Sequence, residues 1–481
     1  MEMEKNKINL WYRVLSTVVV IFFLSNCSLT KQPIREENKS VPESYSNSTD
    51  SINSATIKWK DYFNDQHLIA LIDTALKNNQ ELNITLQEIE IAKNEAKTRK
   101  GEYLPFINLN GGAGLEKEGR YTRHGAVDEN LDIKHNTAFP EPLTDYMFGI
   151  SASWELDVWK KLRNAKKSAV TKYLASIEGK NFMVTNLIAE IANSYYELMA
   201  LDNLIGIIEK NIEIQSNAFN VVKQQKNAAK VTQLAVNRFE AQLLNTQNLQ
   251  YEVRQKIVET ENKLVFLTGK FSRNIPRNST SFNSIAVDSV FSGIPSQLLE
   301  NRPDIRQAEL NLLASKLDVK AAKANFYPSF RITAATGFQS FKPAFLLNPE
   351  SVLYNLTGDL IAPLINRNAI KAAYNTANVQ QIQAVYNYEQ SILNAYVEVL
   401  NQLSKIDNYS NSYKTKSKEV EILIQSVTIA NNLFNSARAD YAEVLLTQRE
   451  ALEAKIELIE IKMKQLNGKI NIYKALGGGW N

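Results

Sequence analysis

The sequence is poor in the residues that build reactive or metal-binding sites, because its 481 residues include one cysteine and three histidines. One cysteine cannot form a disulfide within the chain, and the usual structural zinc sites take at least two cysteines. The charges nearly cancel, with 55 Lys and Arg against 51 Asp and Glu, which argues against a nucleic-acid surface. A mean hydropathy of −0.29 excludes a protein built from many membrane-spanning helices. We therefore predict no catalytic site, no metal site and no nucleic-acid partner.

The single cysteine follows a short apolar run near the N-terminus. The run from Val14 to Leu24 is too short to span a bilayer and is typical of a signal peptide. Cys27 follows Leu-Ser-Asn, which resembles a bacterial lipobox, so we predict a signal peptide at 1–26 and covalent N-acyl and diacylglycerol lipid on Cys27. Residue Ser28 is not aspartate, so by resemblance to lipoprotein sorting we expect the product in the outer membrane. The alternative is a chance cysteine that ends an ordinary signal peptide.

A polar stretch and two proline-poor regions follow. Residues 27–58 are rich in Ser, Asn and Glu and are predicted to form a lipidated tether. Proline is absent from Leu143 to Ile275 and from Leu364 to Asn481, so both regions can hold very long helices. Apolar residues recur there at alternating spacings of three and four, which is typical of coiled coils. The predicted long helices cover residues 160–226, 231–268, 368–436 and 441–476.

Four segments between the helices alternate apolar with small or polar residues. They are residues 104–116, 146–156, 328–339 and 353–363. A period of two predicts β-strands, and each segment has about the length that a tilted membrane strand needs. A soluble sheet with one wet face is the alternative that alternation alone leaves open.

The order of these segments repeats along the chain. Tyr-Leu-Pro at 103–105 and Phe-Tyr-Pro at 326–328 each open a strand, and the two strands share one apolar pattern. We therefore predict an internal duplication, with repeats at 59–269 and 303–481 and an equatorial connector at 270–302. Four strands cannot close a barrel, and open edges are not tolerated in lipid, so three chains should pool twelve strands.

Four motifs resemble those of the TolC-like outer-membrane factor family, in its lipoprotein branch that serves resistance-nodulation-division (RND) efflux pumps. They are Trp-Glu-Leu-Asp-Val-Trp at 154–159, Asn-Arg-Pro-Asp-Ile-Arg-Gln-Ala-Glu at 301–309, Ala-Asn-Phe-Tyr-Pro at 324–328 and Tyr-Lys-Ala-Leu-Gly-Gly-Gly-Trp at 473–480. The resemblance implies an internally duplicated α+β membrane protein. Its trimer would form a 12-stranded outer-membrane β-barrel, continued by a long α-helical coiled-coil barrel in the periplasm of a Gram-negative bacterium.

The resemblance also implies a function and its partners. The expected function is the passive exit duct of a tripartite efflux pump, with a periplasmic adaptor protein and an inner-membrane RND transporter as partners. An exit duct for type I protein secretion is the alternative. In the family the periplasmic end is the gate and meets the adaptor. By resemblance, the candidate gate residues lie in the two helical turns: Lys226 and Lys230 in the first, and Arg438, Asp440 and Tyr441 in the second.

Overall fold

The computed structural model describes residues 35–45, 52–272, 274–286, 291–363, 367–436 and 438–480. The predicted signal peptide, Cys27 and Ala437 lie outside the described residues. The helices are α1 (Trp59–Tyr62), α2 (Gln66–Asn78), α3 (Gln80–Glu102), α4 (Arg123–Asn130), α5 (Lys161–Asn227), α6 (Gln233–Thr268), α7 (Leu298–Asn301), α8 (Pro303–Ala324), α9 (Asn368–Asn435) and α10 (Tyr441–Ala475). The strands are β1 (Phe106–Glu116), β2 (Asp132–Lys134), β3 (Thr137–Ala138), β4 (Leu143–Leu156), β5 (Ser329–Ser340) and β6 (Val352–Ile361).

The four main strands and the four long helices begin and end within three residues of their predicted bounds. The duplication is visible in the lengths of matching helices. The two longest, α5 and α9, have 67 and 68 residues, and α6 and α10 have 36 and 35. At 1.5 Å per residue, α5 and α9 are each about 100 Å long. None of the described helices has the length and apolarity that a membrane crossing requires.

The four main strands form one antiparallel sheet in the order β1-β4-β5-β6. The first loop between paired strands contains the helix α4 and the β2–β3 hairpin, neither of which the sequence patterns predict. Thr122 caps α4 by accepting a hydrogen bond from the backbone N–H of Gly125, and Lys117 pairs with Glu141 at 2.7 Å. An alternation of apolar and polar residues along a strand cannot predict these contacts, because they join parts of the loop that are separate in sequence.

Two buried clusters lie where the hairpins of helices meet the shorter elements. One surrounds the fully buried Tyr195 of α5 and includes residues of α1, α2, α6 and α10. The Tyr195 hydroxyl donates to Asp65 at 2.9 Å, and Asp65 also caps the start of α2. The other surrounds Tyr388 and joins α8, α9 and α10. The first cluster joins the two repeats, because it contains residues of α5 and α6 from the first and of α10 from the second.

Part of the predicted tether packs on this body. Tyr45 is buried in the second cluster, and Asn53 forms a β-bridge with Ser292. Residues 35–45 and 52–58 of the predicted tether therefore lie against the folded body. Their polar composition is typical of a solvated chain, yet their charged side chains have partners on the helices.

Candidate functional site

The register of the sheet sorts its side chains into an apolar face and a polar face. On one face, Leu109 lies opposite Ile150, and the same row continues through Thr336 to Tyr354. Leu109 is 68% exposed and Tyr354 is 84% exposed. Large apolar side chains in such a continuous exposed patch indicate contact with lipid or with another protein.

The opposite face carries short polar side chains and charges. Asn110 donates a hydrogen bond to the Ser151 hydroxyl at 2.7 Å, and Gln339 donates to both carboxylate oxygens of Asp145 at 3.0 Å. Arg331 lies opposite Glu155 on one side and opposite Asp359 on the other. This face is suited to water, so the sheet separates an apolar environment from an aqueous one.

Both edges of the four-stranded sheet are open in the described chain. The edge strands are β1, with 11 residues, and β6, with 10 residues. Their outward backbone N–H and C=O groups need partners wherever water is excluded. The sheet therefore presents one apolar exposed face and two unpaired strand edges.

The junction between the sheet and α5 is held by two tryptophans. The Trp154 indole donates to the Tyr103 carbonyl at 3.1 Å, and the Trp159 indole donates to the Pro328 carbonyl at 2.7 Å. Trp159 also stacks on Tyr327, with ring centroids 4.6 Å apart. Two of the motifs that carry the family resemblance thus meet here, one from each repeat. Amphipathic aromatic rings at the end of an apolar strand band are typical of a membrane interface.

Asp157, between the two tryptophans, determines where α5 begins. Its carboxylate accepts the backbone N–H groups of Leu162 and Arg163 at 3.0 and 2.8 Å, and it also accepts the Arg163 side chain. It therefore satisfies two of the N–H groups that every helix leaves unpaired at its start. This connection fixes the direction in which the 67-residue helix leaves the sheet.

The other two family motifs meet at the N-terminus of α8. Arg302, with 6% of its side chain exposed, contacts Asp304 and Glu398 at 2.8 Å and donates to the Ala475 carbonyl at 2.8 Å. The Trp480 indole donates to the Asn301 carbonyl at 3.2 Å. Gly477 has φ +93, and a Cβ there would lie 2.6 Å from that same carbonyl oxygen. Glycine is therefore required where the C-terminal segment crosses this corner.

The predicted gate residues lie at the ends of two helical hairpins. Each hairpin turn closes with the same type of bond: the Lys230 N–H donates to Gln225 C=O, and the Arg438 N–H donates to Leu433 C=O, both at 2.9 Å. Lys226 helps to form the first turn through its carbonyl, which accepts the N–H of Ala229. The side chains of Lys226, Lys230 and Arg438 are exposed in these turns.

The structure brings one of the five candidates against the other hairpin. Tyr441 packs on an apolar cluster formed by Val222 of α5 and by Val236 and Phe239 of α6. Asp440 caps α10 with its backbone, makes no side-chain capping bond and is exposed. The two tips are thus joined by apolar contact, which sequence reasoning missed; the continuing apolar spacing of α6 was the available signal.

Exposed apolar residues also recur along the outside of the long helices at intervals of seven. On α6 they are Leu244, Tyr251 and Val258; on α9 they are Val379, Tyr386 and Leu393. Each is between 43% and 66% exposed in the single chain. A heptad stripe left open in this way is a surface for another helix.

A family model described as outer membrane efflux protein matches residues 71–270 and 294–478. The chain belongs to this family. Among curated relatives, the solvent efflux pump outer membrane protein SrpC of Pseudomonas putida is 28% identical over 469 residues, covering 96% of this chain and 97% of SrpC. The probable outer membrane lipoprotein SilC of Salmonella typhimurium is 25% identical over 472 residues, covering 97% and 98%.

The fold is found in solved structures as well. The open-state outer membrane channel MtrE of Neisseria gonorrhoeae is similar with a TM-score of 0.81 at 22% identity, covering 95% of this chain and 99% of MtrE. The chain therefore has the TolC-like fold, and it is an outer-membrane efflux protein, as its sequence predicted.

Proposed function

We propose that three copies of this chain form the exit duct of a tripartite RND-type efflux pump. The observation that carries the proposal is the four-stranded sheet with one apolar face, one polar face and two open edges. Pairing β6 of one copy with β1 of the next satisfies both edges and closes a twelve-stranded barrel. Its apolar face meets lipid, and its polar face lines an aqueous lumen.

The helices support the same assembly. The heptad stripe on α6 stays exposed in one chain, and a helix of a neighbouring copy would cover it. The closed cylinder would extend the lumen along helices about 100 Å long. At its far end, a periplasmic adaptor would meet the hairpin tips and connect the duct to an inner-membrane RND transporter, which supplies the energy.

The function is tested by dye accumulation in the native host after deletion of the gene. We expect the deletion strain to retain a fluorescent efflux dye and the plasmid-borne gene to restore its export. Purified protein in a planar bilayer should form channels whose open-state conductance is that of a wide, water-filled pore. Unchanged dye levels together with loss of one secreted protein from the medium would instead identify a type I secretion duct.

We propose that Cys27 carries the lipid. We expect radioactive palmitate to label the wild-type protein and to leave Cys27→Ser unlabelled, because Cys27 is the only thiol in the sequence. Each buried CH₂ of an acyl chain adds about 0.8 kcal/mol to membrane binding. An unlabelled wild-type protein in the outer-membrane fraction would refute the assignment.

We propose that the turn containing Arg438, Asp440 and Tyr441, with Lys226 and Lys230 opposite it, forms the gate. We expect Tyr441→Ala to raise closed-state conductance most, because it removes an apolar contact between the hairpins. Arg438→Ala and Asp440→Ala should act more weakly, because both side chains are exposed and an ion pair formed there in the trimer would contribute only about 0–1 kcal/mol. Single-channel recordings of the three variants test this assignment. If all three had the same closed-state conductance as the wild type, the gate would lie elsewhere.

A further inference from the structure

Two separate apolar clusters lie along the first helical hairpin, and α10 packs against both of them. The tip cluster, near the hairpin turn, contains Val222 of α5 and Phe239 of α6. The inner cluster, further from the turn, contains Ile208 of α5 and Val253 of α6. The two residues named on each helix are two heptads apart, so one further heptad layer lies between the clusters.

This intermediate layer is polar. Its residues on α5 and α6 are Gln215 and Thr246, each one heptad from a residue of either cluster. On α10 the residue is Gln448, which follows Tyr441 of the tip cluster by one heptad and precedes Ile456 of the inner cluster by eight residues. Gln215 is 2% exposed, Thr246 is 1% exposed and Gln448 is 6% exposed. Three polar side chains therefore occupy core positions between two apolar clusters.

The two amides of this layer lack hydrogen bonds within the chain. The Thr246 hydroxyl donates to the Gln242 carbonyl at 3.1 Å. Among the described residues, however, no group bonds to Nε2 or Oε1 of Gln215 or to Oε1 of Gln448. These three atoms are already buried in the single chain, so a neighbouring copy would not reach them. Buried amides are normally bonded to protein or to water, because an unpaired one lowers stability.

The unpaired atoms indicate which ligand the layer would take. Nε2 of Gln215 is a donor, whereas Oε1 of Gln215 and Oε1 of Gln448 are acceptors. An anion would leave both acceptors unpaired, and a metal cation would leave the donor unpaired. A water molecule accepts and donates at once, so it satisfies all three atoms. Three partners are also the usual number for a buried water.

The duplication shows that α5 does not need a glutamine at this position to form its seam. Leu433, whose carbonyl closes the second hairpin turn, is 208 residues after Gln225, whose carbonyl closes the first. With this offset, the second repeat has Leu423 where the first has Gln215. A leucine would extend the apolar seam, whereas a polar residue at a core position specifies how helices align at a cost in stability.

We propose that Gln215, Thr246 and Gln448 enclose a binding site for one water molecule, and that this water joins α10 to α5 one heptad from the tip of the second hairpin. Gln215 and Gln448 are then positioning residues, which act through the water on how α10 lies against the first hairpin. The site belongs to a single chain and does not rest on the proposed duct, so its tests need no transport measurement.

A crystal structure of the purified protein tests the site directly. We expect one ordered water at about 2.7–3.2 Å from Nε2 of Gln215 and from Oε1 of Gln448. In the double variant Gln215→Leu with Gln448→Leu, this water should be absent. A wild-type structure in which the two amides bond to each other or to other protein groups, with no water between them, would overturn the proposal.

Thermal denaturation tests whether the two glutamines share a partner. Gln215→Leu and Gln448→Leu should each lower the midpoint by about 1–3 °C, because each leaves the other amide buried beside an apolar side chain. The double variant should denature at or above the wild-type temperature, since its layer is apolar and continues the clusters. Losses that merely add in the double variant would refute the coupling. Gln224→Leu, at an exposed position of α5, is the control and should leave the midpoint unchanged.

Disulfide formation tests whether the two positions face each other, whatever the stability of the leucine variants. In a Cys27→Ser background, which removes the only other thiol, copper phenanthroline should oxidise Gln215→Cys with Gln448→Cys efficiently. The matched pair replaces Glu213, an exposed residue of the same helix, and Glu213→Cys with Gln448→Cys should give at least five-fold less disulfide. Equal yields for the two pairs would refute the layer itself.

Discussion

Leu109→Arg is expected to prevent the protein from accumulating as an assembled channel in the outer membrane. Leu109 lies on the apolar face of β1, opposite Ile150, and is 68% exposed in the single chain. An arginine on the lipid face of a membrane barrel costs about 2–4 kcal/mol near the bilayer midplane. In the proposed trimer this free-energy cost applies once in each of the three chains, and the barrel closes only when the strands of all three chains pair.

The matched control is the adjacent residue. Asn108 is exposed on the polar face of the same strand, opposite Ser151. Asn108→Arg should assemble normally, because its guanidinium would face water, and it should shift ion selectivity towards anions. Sucrose-gradient fractionation and heat-modifiable mobility on gels measure assembly of both variants. Equal assembly of the two would contradict the assignment of faces.

The faces of the sheet can be predicted from the sequence because strand side chains alternate with a period of two. This period alone places Leu109 and Asn110 on opposite sides of β1. The long helices are predictable for a similar reason, since their apolar residues repeat over many turns. Proline or glycine marks several of the ends, as Pro105 does before β1, Pro328 before β5 and Gly269 after α6.

Contacts between distant positions cannot be predicted in this way. Arg302 belongs to a motif that indicates the family, but its partners Glu398 and Ala475 lie far along the chain. Tyr441 is a candidate gate residue by resemblance, yet its apolar contact with the first hairpin depends on how the two hairpins pack. Local patterns report which side of an element is buried, not which element covers it.

The segment at residues 35–45 is another case in which contacts between distant positions are not visible in the local sequence. Its composition is polar, which is the basis for predicting a tether at residues 27–58. The alternating charges of Arg35, Glu37 and Lys39 are visible in the sequence, but their meaning depends on partners on α8 and α9. Polar composition indicates a solvated chain only where no complementary surface is available.

Replacing Arg302 by methionine is expected to destabilise the body of the protein by about 2–4 kcal/mol, at the lower side of the range for breaking a buried ion pair. Arg302 has 6% of its side chain exposed and joins the start of α8 to α9 and to the last turn of α10. Methionine fills much of the volume but leaves two carboxylates and a helix-terminal carbonyl without their cation. Asp304 and Glu398 are 21% and 30% exposed, and the water that reaches them moderates the loss.

Thermal denaturation of the purified protein measures this effect, and we expect the midpoint to fall by about 2–4 °C. Arg254→Met is the matched control, because Arg254 is 54% exposed and its pair with Glu209 should contribute only about 0–1 kcal/mol. Adding Asp304→Asn and Glu398→Gln to Arg302→Met should recover part of the loss by removing the unpaired charges. If Arg302→Met denatured at the same temperature as Arg254→Met, the corner at which the Asn301–Arg302 turn meets the C-terminal glycines would not depend on this cation. The apolar cluster around Tyr388 would then be enough to hold this corner.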